Sequence, residues 1–177
     1  MVFALNSLRH IEERNLICGH VLVLLSKFDE AQVMFLASSC PIEALNMRRD
    51  LMHWDSAMKL AKGLDSTQMP YISLEYGKQL EFVGDHPTAL RMFEKGITIS
   101  ESDKEHNELC ASGIARSSLK TGDIRRGVEL ALKLPNKNVK RECGAILEGI
   151  RQYMEAGNLY EKGESWDKAA LVYIKVG

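Results

Sequence analysis

Six times along this chain a large residue is followed by Ala or Gly three positions later, then by an aromatic or small apolar residue four positions after that. The sets are Phe28/Ala31/Phe35, Trp54/Ala57/Ala61, His86/Ala89/Phe93, Ile124/Gly127/Ala131, Tyr153/Ala156/Tyr160 and Trp166/Ala169/Tyr173. Offsets of three and seven fall on one face of an α-helix. The small middle residue lets a neighbouring helix approach closely. The sets start 26, 32, 38, 29 and 13 residues apart. Periods in this range point to stacked helix pairs, a solenoid that presents surface to partners.

The punctuation agrees. Turn signals recur at Ser38-Ser39-Cys40-Pro41, Gly63 with Asp65-Ser66, Gly84-Asp85, Thr121-Gly122-Asp123, Leu134-Pro135-Asn136 and Gly163. Strand-like alternation is absent. In tetratricopeptide-type hairpins the small residue of the second helix faces another small residue twelve positions earlier. Counting back twelve gives Gly19, Leu45, Gly77, Ala115, Gly144 and Gly157. Glycine in a helix interior costs about 0.5–1 kcal/mol relative to Ala, so four glycines in this register need a packing reason. The expectation is that Gly77 faces Ala89, and that Leu45, beside Ala44, slips by one. The best single repeat is Tyr71 to Ile97: Gly84 ends one helix, Asp85 caps the next, and Pro87 falls in its first turn. Its halves read Gly77-x-x-Leu80 and Ala89-x-x-x-Phe93, a degenerate form of the tetratricopeptide pattern.

The expected fold is therefore all-α: a tetratricopeptide-like α-solenoid of about five irregular helical hairpins, 1–177 as one segment. The last helix, Trp166 to Val176, has no polar cap, so the chain reads as an excerpt of a longer one.

Composition excludes several function classes. Net charge is −1 and the pI near 6.5, which argues for neither nucleic acid nor a membrane surface. The longest apolar run, Leu16 to Leu25, is broken by Gly19 and His20 and is too short to cross a bilayer. Met1 is not followed by a signal-peptide pattern. Cys18, Cys40, Cys110 and Cys143 form no CxxC pair and read as buried, reduced thiols.

Little chemistry competes with the scaffold reading. His106-x-x-x-Cys110 puts two metal ligands on one helix face, but zinc needs three or four and only Asp103 is near. A Cys/His pair from Cys18 or Cys40 with His20 is disfavoured because Cys18 and Gly19 sit at hairpin-facing positions. No phosphate loop, carboxylate pair or serine elbow is present; no catalytic, cofactor or metal residue is assigned. Trp54 and Trp166 occupy the packing position of their sets and read as core. Lys120 to Arg141 carries seven basic residues against Asp123 and Glu129, whereas Glu81 to Glu108 carries seven acidic residues against three basic ones. The plain reading is a solvated outer face. The sharper one is a pair of partner-facing patches, with Arg126, Lys133 and Arg141 as candidate partner-binding residues; Arg126 and Lys133 point away from the stripe Ile124, Gly127, Val128 and Ala131.

The stretch Leu36-Ala37-Ser38-Ser39-Cys40-Pro41-Ile42-Glu43-Ala44-Leu45-Asn46-Met47-Arg48-Arg49-Asp50-Leu51, then His53-Trp54-Asp55-Ser56-Ala57, resembles the helical repeat region of the WD-repeat-containing protein 19 family, a subunit of the intraflagellar transport A complex. Gly19 to Leu25, Gly122 to Val128, Cys143 to Glu148 and Leu159 to Gly163 extend the likeness, which runs in order from about Gly19 to Val176. The resemblance implies a long parent with N-terminal β-propellers and a C-terminal helical solenoid. It implies a structural subunit of retrograde intraflagellar transport, active in entry of membrane proteins into cilia. Implied partners are the other complex A subunits and ciliary membrane-protein cargo adaptors, with location at the cilium, the ciliary base and the cytoplasm. The rival reading is a coat-like or cargo-adaptor solenoid touching anionic membrane through 120–141.

Overall fold

A computed structural model describes residues 13–176. The stretch after Met1 that bears on a signal peptide, residues 1–12, lies outside them. The described residues form eleven α-helices and no strand: α1 (Arg14–Leu24), α2 (Phe28–Leu36), α3 (Ile42–Asp50), α4 (Trp54–Leu64), α5 (Met69–Val83), α6 (His86–Gly96), α7 (Lys104–Thr121), α8 (Ile124–Lys133), α9 (Lys137–Gly149), α10 (Tyr153–Lys162) and α11 (Trp166–Ile174). Each of the six sequence sets begins on the first residue of a helix. The all-α expectation holds, with helices packed consecutively. The chain divides into two compact units, 1–72 and 73–177.

One turn is used six times. Ser26, Met52, Gly84, Gly122, Arg151 and Glu164 all take the left-handed conformation, with φ between 55° and 95°. The next residue donates its N–H to a carbonyl five residues back, at 2.8–2.9 Å, from Lys27 to Leu22 through Ser165 to Tyr160. The left-handed residue donates to the carbonyl three back. This pair of bonds is the Schellman motif, which satisfies carbonyls a helix end leaves orphaned. The residue after it starts the next helix. Gly84-Asp85 and Gly122-Asp123 add a cap: the Asp85 carboxylate accepts from Thr88 N–H and that of Asp123 from Arg126 N–H, each at 3.2 Å. The hydrogen bonds from Thr88 hold Asp85 below the usual carboxylate range.

In unit 1, α1, α2 and α3 enclose Ala31, Phe35, Ala44 and Met47. Leu45, Ala57, Ala61 and Ile72 form a second cluster, against which Trp54 and Met69 pack. Leu45 and Ala57 share this cluster. Arg48, on α3, is 6% exposed. Its guanidinium donates to Gln32 Oε1 at 2.7 Å, Asp29 Oδ1 at 2.6 Å and His53 Nδ1 at 3.1 Å, tying α2 to the start of α4.

In unit 2, Leu74, Ala89, Phe93, Cys110 and Ile114 form one cluster. A larger one runs from Ala115 through Val139, Cys143 and Leu147 to Tyr160 and Val172. Burial raises the Cys110 thiol to about 11 and the Cys143 thiol to about 12. All four cysteines are free thiols; Cys18 and Cys40 are half-buried.

The glycine register has a different partner from the one expected. A Cβ on Gly77 would lie 2.9 Å from the Phe93 ring, not against Ala89. Gly77 and Phe93 are each eight residues from Asp85, so they lie level across an antiparallel pair; Ala89 is one helical turn closer to the bend. The same offset of sixteen sets Gly19 against Phe35, Gly144 against Tyr160 and Gly157 against Tyr173. Where the first helix offers Leu45 or Ala115, the position sixteen on is Ala61 or Ala131. Large and small residues thus face each other at Gly77/Phe93 and Leu45/Ala61 alike, whereas at Ala115/Ala131 both are small and Leu119 packs on Gly127. Trp166 is a second correction. It is 64% exposed, whereas Trp54 packs against its cluster beside Met69; no helix follows α11 among the described residues.

Candidate functional site

The three residues singled out from the sequence serve different ends. Arg126 and Lys133 lie seven apart on the outer face of α8, with Gly127 and Ala131 buried beneath. Arg126 pairs with Glu94 at 2.6 Å, and Lys133 with Glu129 at 2.6 Å. The side chains of both pairs keep 41–67% of their exposure. The acidic and basic stretches thus meet within the molecule at Glu94 and Arg126. Arg141 is half-buried on α9. Its Nε donates to the Gly163 carbonyl at 2.6 Å and closes the end of α10, a favourable place for a cation. Nearby, Lys137 pairs with Glu164 at 2.6 Å.

A stronger charged feature has no local signal in the sequence. Arg116, on α7, makes a two-pronged bond with Glu81 of α5, at 2.6 and 2.9 Å, and a third bond with Glu142 of α9 at 3.0 Å. The partners lie 35 and 26 residues away, so only the stacking of α5, α7 and α9 brings them together. The Arg116 and Glu81 side chains keep 23% and 20% of their exposure. The hydrogen bonds from Glu81 raise the Arg116 pKa further. A fork-on-fork contact of this kind fixes orientation as well as distance. A further network joins Glu148 of α9 to the Tyr160 hydroxyl at 2.9 Å and Lys175 at 2.7 Å.

His106 and Cys110 do sit together, 3.6 Å apart. The His106 Nε2 proton is directed to the Gly96 carbonyl at 2.6 Å, at the end of α6. Among the described residues no three metal-ligating side chains converge, and no helix is long and apolar enough to cross a membrane.

Two concavities stand out among the described residues. One, of about 590 Å³, opens along the first half of α7 beside Asn107 and Glu108, with Leu134 on its far side. Asn107 holds the Thr98 backbone from both sides there: its Oδ1 accepts from Thr98 N–H at 2.8 Å and its Nδ2 donates to Thr98 O at 2.9 Å. The other, of about 230 Å³, lies in unit 1 between α1 and α3. In unit 2, α7 and α9 pack directly on each other; α1 and α3 have no comparably close packing. Into that space α1 directs His20 and Val23, α2 the edge of Phe35, and α3 one face made of Glu43, Asn46, Met47, Asp50 and Leu51. These last residues are spaced 0, 3, 4, 7 and 8, the period of one helix side. The His20 ring meets Phe35 edge-on at 5.0 Å.

Sequence comparison gives the lineage. Over 175 residues, 99% of this chain, it is 54% identical to WD repeat-containing protein 19 of Homo sapiens. The chain belongs to the WD repeat-containing protein 19 family. It covers 13% of that human relative's length. It is also 48% identical, over 99% of its own length and 13% of the relative's, to WD repeat-containing protein dyf-2 of Caenorhabditis elegans. A more distant match, 27% identical over 85% of this chain and 8% of the relative, is Intraflagellar transport protein osm-1 of the same worm. No family model matches the chain. The likeness read from Gly19 to Val176 is therefore a segment of the WD repeat-containing protein 19 family.

Proposed function

We propose that this chain is a protein-interaction scaffold in intraflagellar transport, a repeat segment of a complex A subunit. In that setting it supports retrograde transport and the entry of membrane proteins into cilia. Its partners are the other complex A subunits, together with ciliary membrane-protein cargo adaptors; it works in the cilium, at the ciliary base and in the cytoplasm. It acts without catalysis or a cofactor, and the whole of 1–177 belongs to one repeat segment. The observation that carries this reading is the 54% identity over 99% of the chain to WD repeat-containing protein 19. Its accompaniment is a set of helix pairs, several of whose charged side chains serve caps, forks and surface pairs.

The rival, a contact with anionic membrane through 120–141, is disfavoured by the charge geometry. Arg126, Lys133 and Lys137 each face a carboxylate within 2.6 Å. That leaves less free positive charge than a polybasic membrane segment presents.

The test is made in the full-length parent. Arg126→Glu with Lys133→Glu should reduce recovery of the other complex A subunits in a pull-down. The melting point should hardly move, because exposed ion pairs contribute about 0–1 kcal/mol each. Unreduced recovery at unchanged stability would remove partner binding from these two residues. Sedimentation of the chain with anionic liposomes would revive the membrane reading.

A further inference from the structure

We propose that the groove between α1 and α3 is a docking site for a basic peptide segment that seats one aliphatic or aromatic side chain. The floor is apolar: Val23, Phe35, Met47 and Leu51. The rim is acidic: Glu43 and Asp50, one turn to either side of Met47 on the same helix face. Among the described residues no Lys or Arg lines the space. Glu43 accepts only the Asn46 amide, at 3.2 Å, and Asp50 has no cationic partner among the described residues.

The contrast with the rest of the molecule is what makes this rim informative. Elsewhere several helix carboxylates do face a cation: Glu81 and Glu142 face Arg116, Glu94 faces Arg126, Glu148 faces Lys175 and Glu164 faces Lys137. Of the two arginines on α3, Arg48 is turned to Asp29, Gln32 and His53, and Arg49 is not among the side chains that line the groove. Two carboxylates therefore stand over an apolar cleft with no cation facing them among the described residues.

Size and charge together select the occupant. Sites for whole small molecules run about 300–1,000 Å³; 230 Å³ suits a single side-chain anchor of the kind that dominates interface energetics. Phosphate and other anions are repelled by the rim. A Lys or Arg next to an apolar anchor places an ammonium or guanidinium against Glu43 or Asp50 and makes a charge-assisted hydrogen bond. Phe35 adds an aromatic wall, held 1% exposed by α1 and α2. Nothing in this chemistry depends on which complex the parent joins, so it stands or falls apart from the transport reading.

The experiment is selection of a random dodecapeptide phage library on the immobilised 177-residue chain, followed by calorimetry of one enriched peptide. The expected consensus is a Leu, Ile, Met or Phe flanked by Lys or Arg. Affinity should fall at least about tenfold, some 1.4 kcal/mol, when the peptide's basic residues are replaced by Ala. It should fall as much for the chain carrying Glu43→Gln and Asp50→Asn. The melting point of that variant reports whether it still folds, and the peptide substitutions on the unmodified chain keep the test decisive if it does not. An acidic or purely apolar consensus would overturn the proposal. So would failure to enrich any peptide, or affinity that survives both changes.

Discussion

At the scale of single residues, Phe93 carries the most packing information. Its ring is wholly buried and lies between two glycines: a Cβ on Gly77 would come within 2.9 Å of it and one on Gly113 within 2.5 Å. The ring has nowhere to retreat. Gly113→Ala should destabilise the chain by about 1–3 kcal/mol through overpacking, less whatever the better helix former returns. Gly63 lies in the last turn of α4 with nothing within 4 Å of its Cβ position. Gly63→Ala should stabilise by roughly 0.5–1 kcal/mol. Thermal unfolding of the two variants should move in opposite directions; a gain for both would mean that the Phe93 crossing is looser than described. The sequence offered Gly77, Ala89 and Phe93 as a related set but paired the wrong two. Counting along one helix face does not reveal that residues equidistant from a bend are the ones that meet. Trp166 was misread for a related reason: its apolar bulk marks a packing position, but burial depends on a neighbour that local sequence does not specify.

At the scale of elements, the shared turn explains which helix ends were visible. Gly84-Asp85 and Gly122-Asp123 announce themselves, because glycine tolerates the left-handed conformation and Asp caps the next helix. Ser26, Met52 and Arg151 take the same conformation with no such signature, so three turns were missed. A non-glycine residue there is strained by about 1–2 kcal/mol. Arg151→Gly should therefore raise stability by up to about 1 kcal/mol once the added freedom of the unfolded chain is subtracted. That corresponds to roughly 2–4 °C in the melting point of a chain this size; a lower melting point would show that Arg151 makes a contact outweighing its strain. The link between α9, α10 and the residue after α11 offers a pH handle. Hydrogen bonds from Lys175, then Tyr160, hold Glu148 below its ordinary pKa. A lowered folded-state pKa adds stability above the unfolded value, near 4.3, and that share is lost as acidification protonates the folded group. Glu148→Gln should flatten the fall in stability below about pH 4.3 and leave the slope near pH 7 unchanged. An unaltered acid limb would show that the Lys175 and Tyr160 contacts add no stability.

At the scale of the whole molecule, the all-α class was legible because six helix faces with the same offsets leave few other folds open. The charged surface was legible only in part. Arg126 and Lys133 do point outward on α8, as the periodicity of that helix demands. Arg141 does not belong with them, because it bonds the Gly163 carbonyl 22 residues away, a partner no local pattern indicates. Arg116, whose three bonds join α5, α7 and α9, went unremarked for the same reason. Arg116→Met should lower the melting point of the chain, since hydrogen bonds to charged groups contribute about 1.5–3 kcal/mol. Its effect on partner recovery should appear only near that lower melting point.

The central claim is that this segment holds other proteins of the transport complex. The most direct measurement is residue-resolved crosslinking mass spectrometry on the intact parent complex, using a lysine-reactive reagent. Crosslinks should run from the exposed lysines of this segment, Lys133 and Lys137 among them, to other complex A subunits. They should weaken as ionic strength rises, because exposed charges are screened over about 8–10 Å near physiological salt. Crosslinks confined to the parent chain itself, with the complex otherwise intact and well covered, would contradict it.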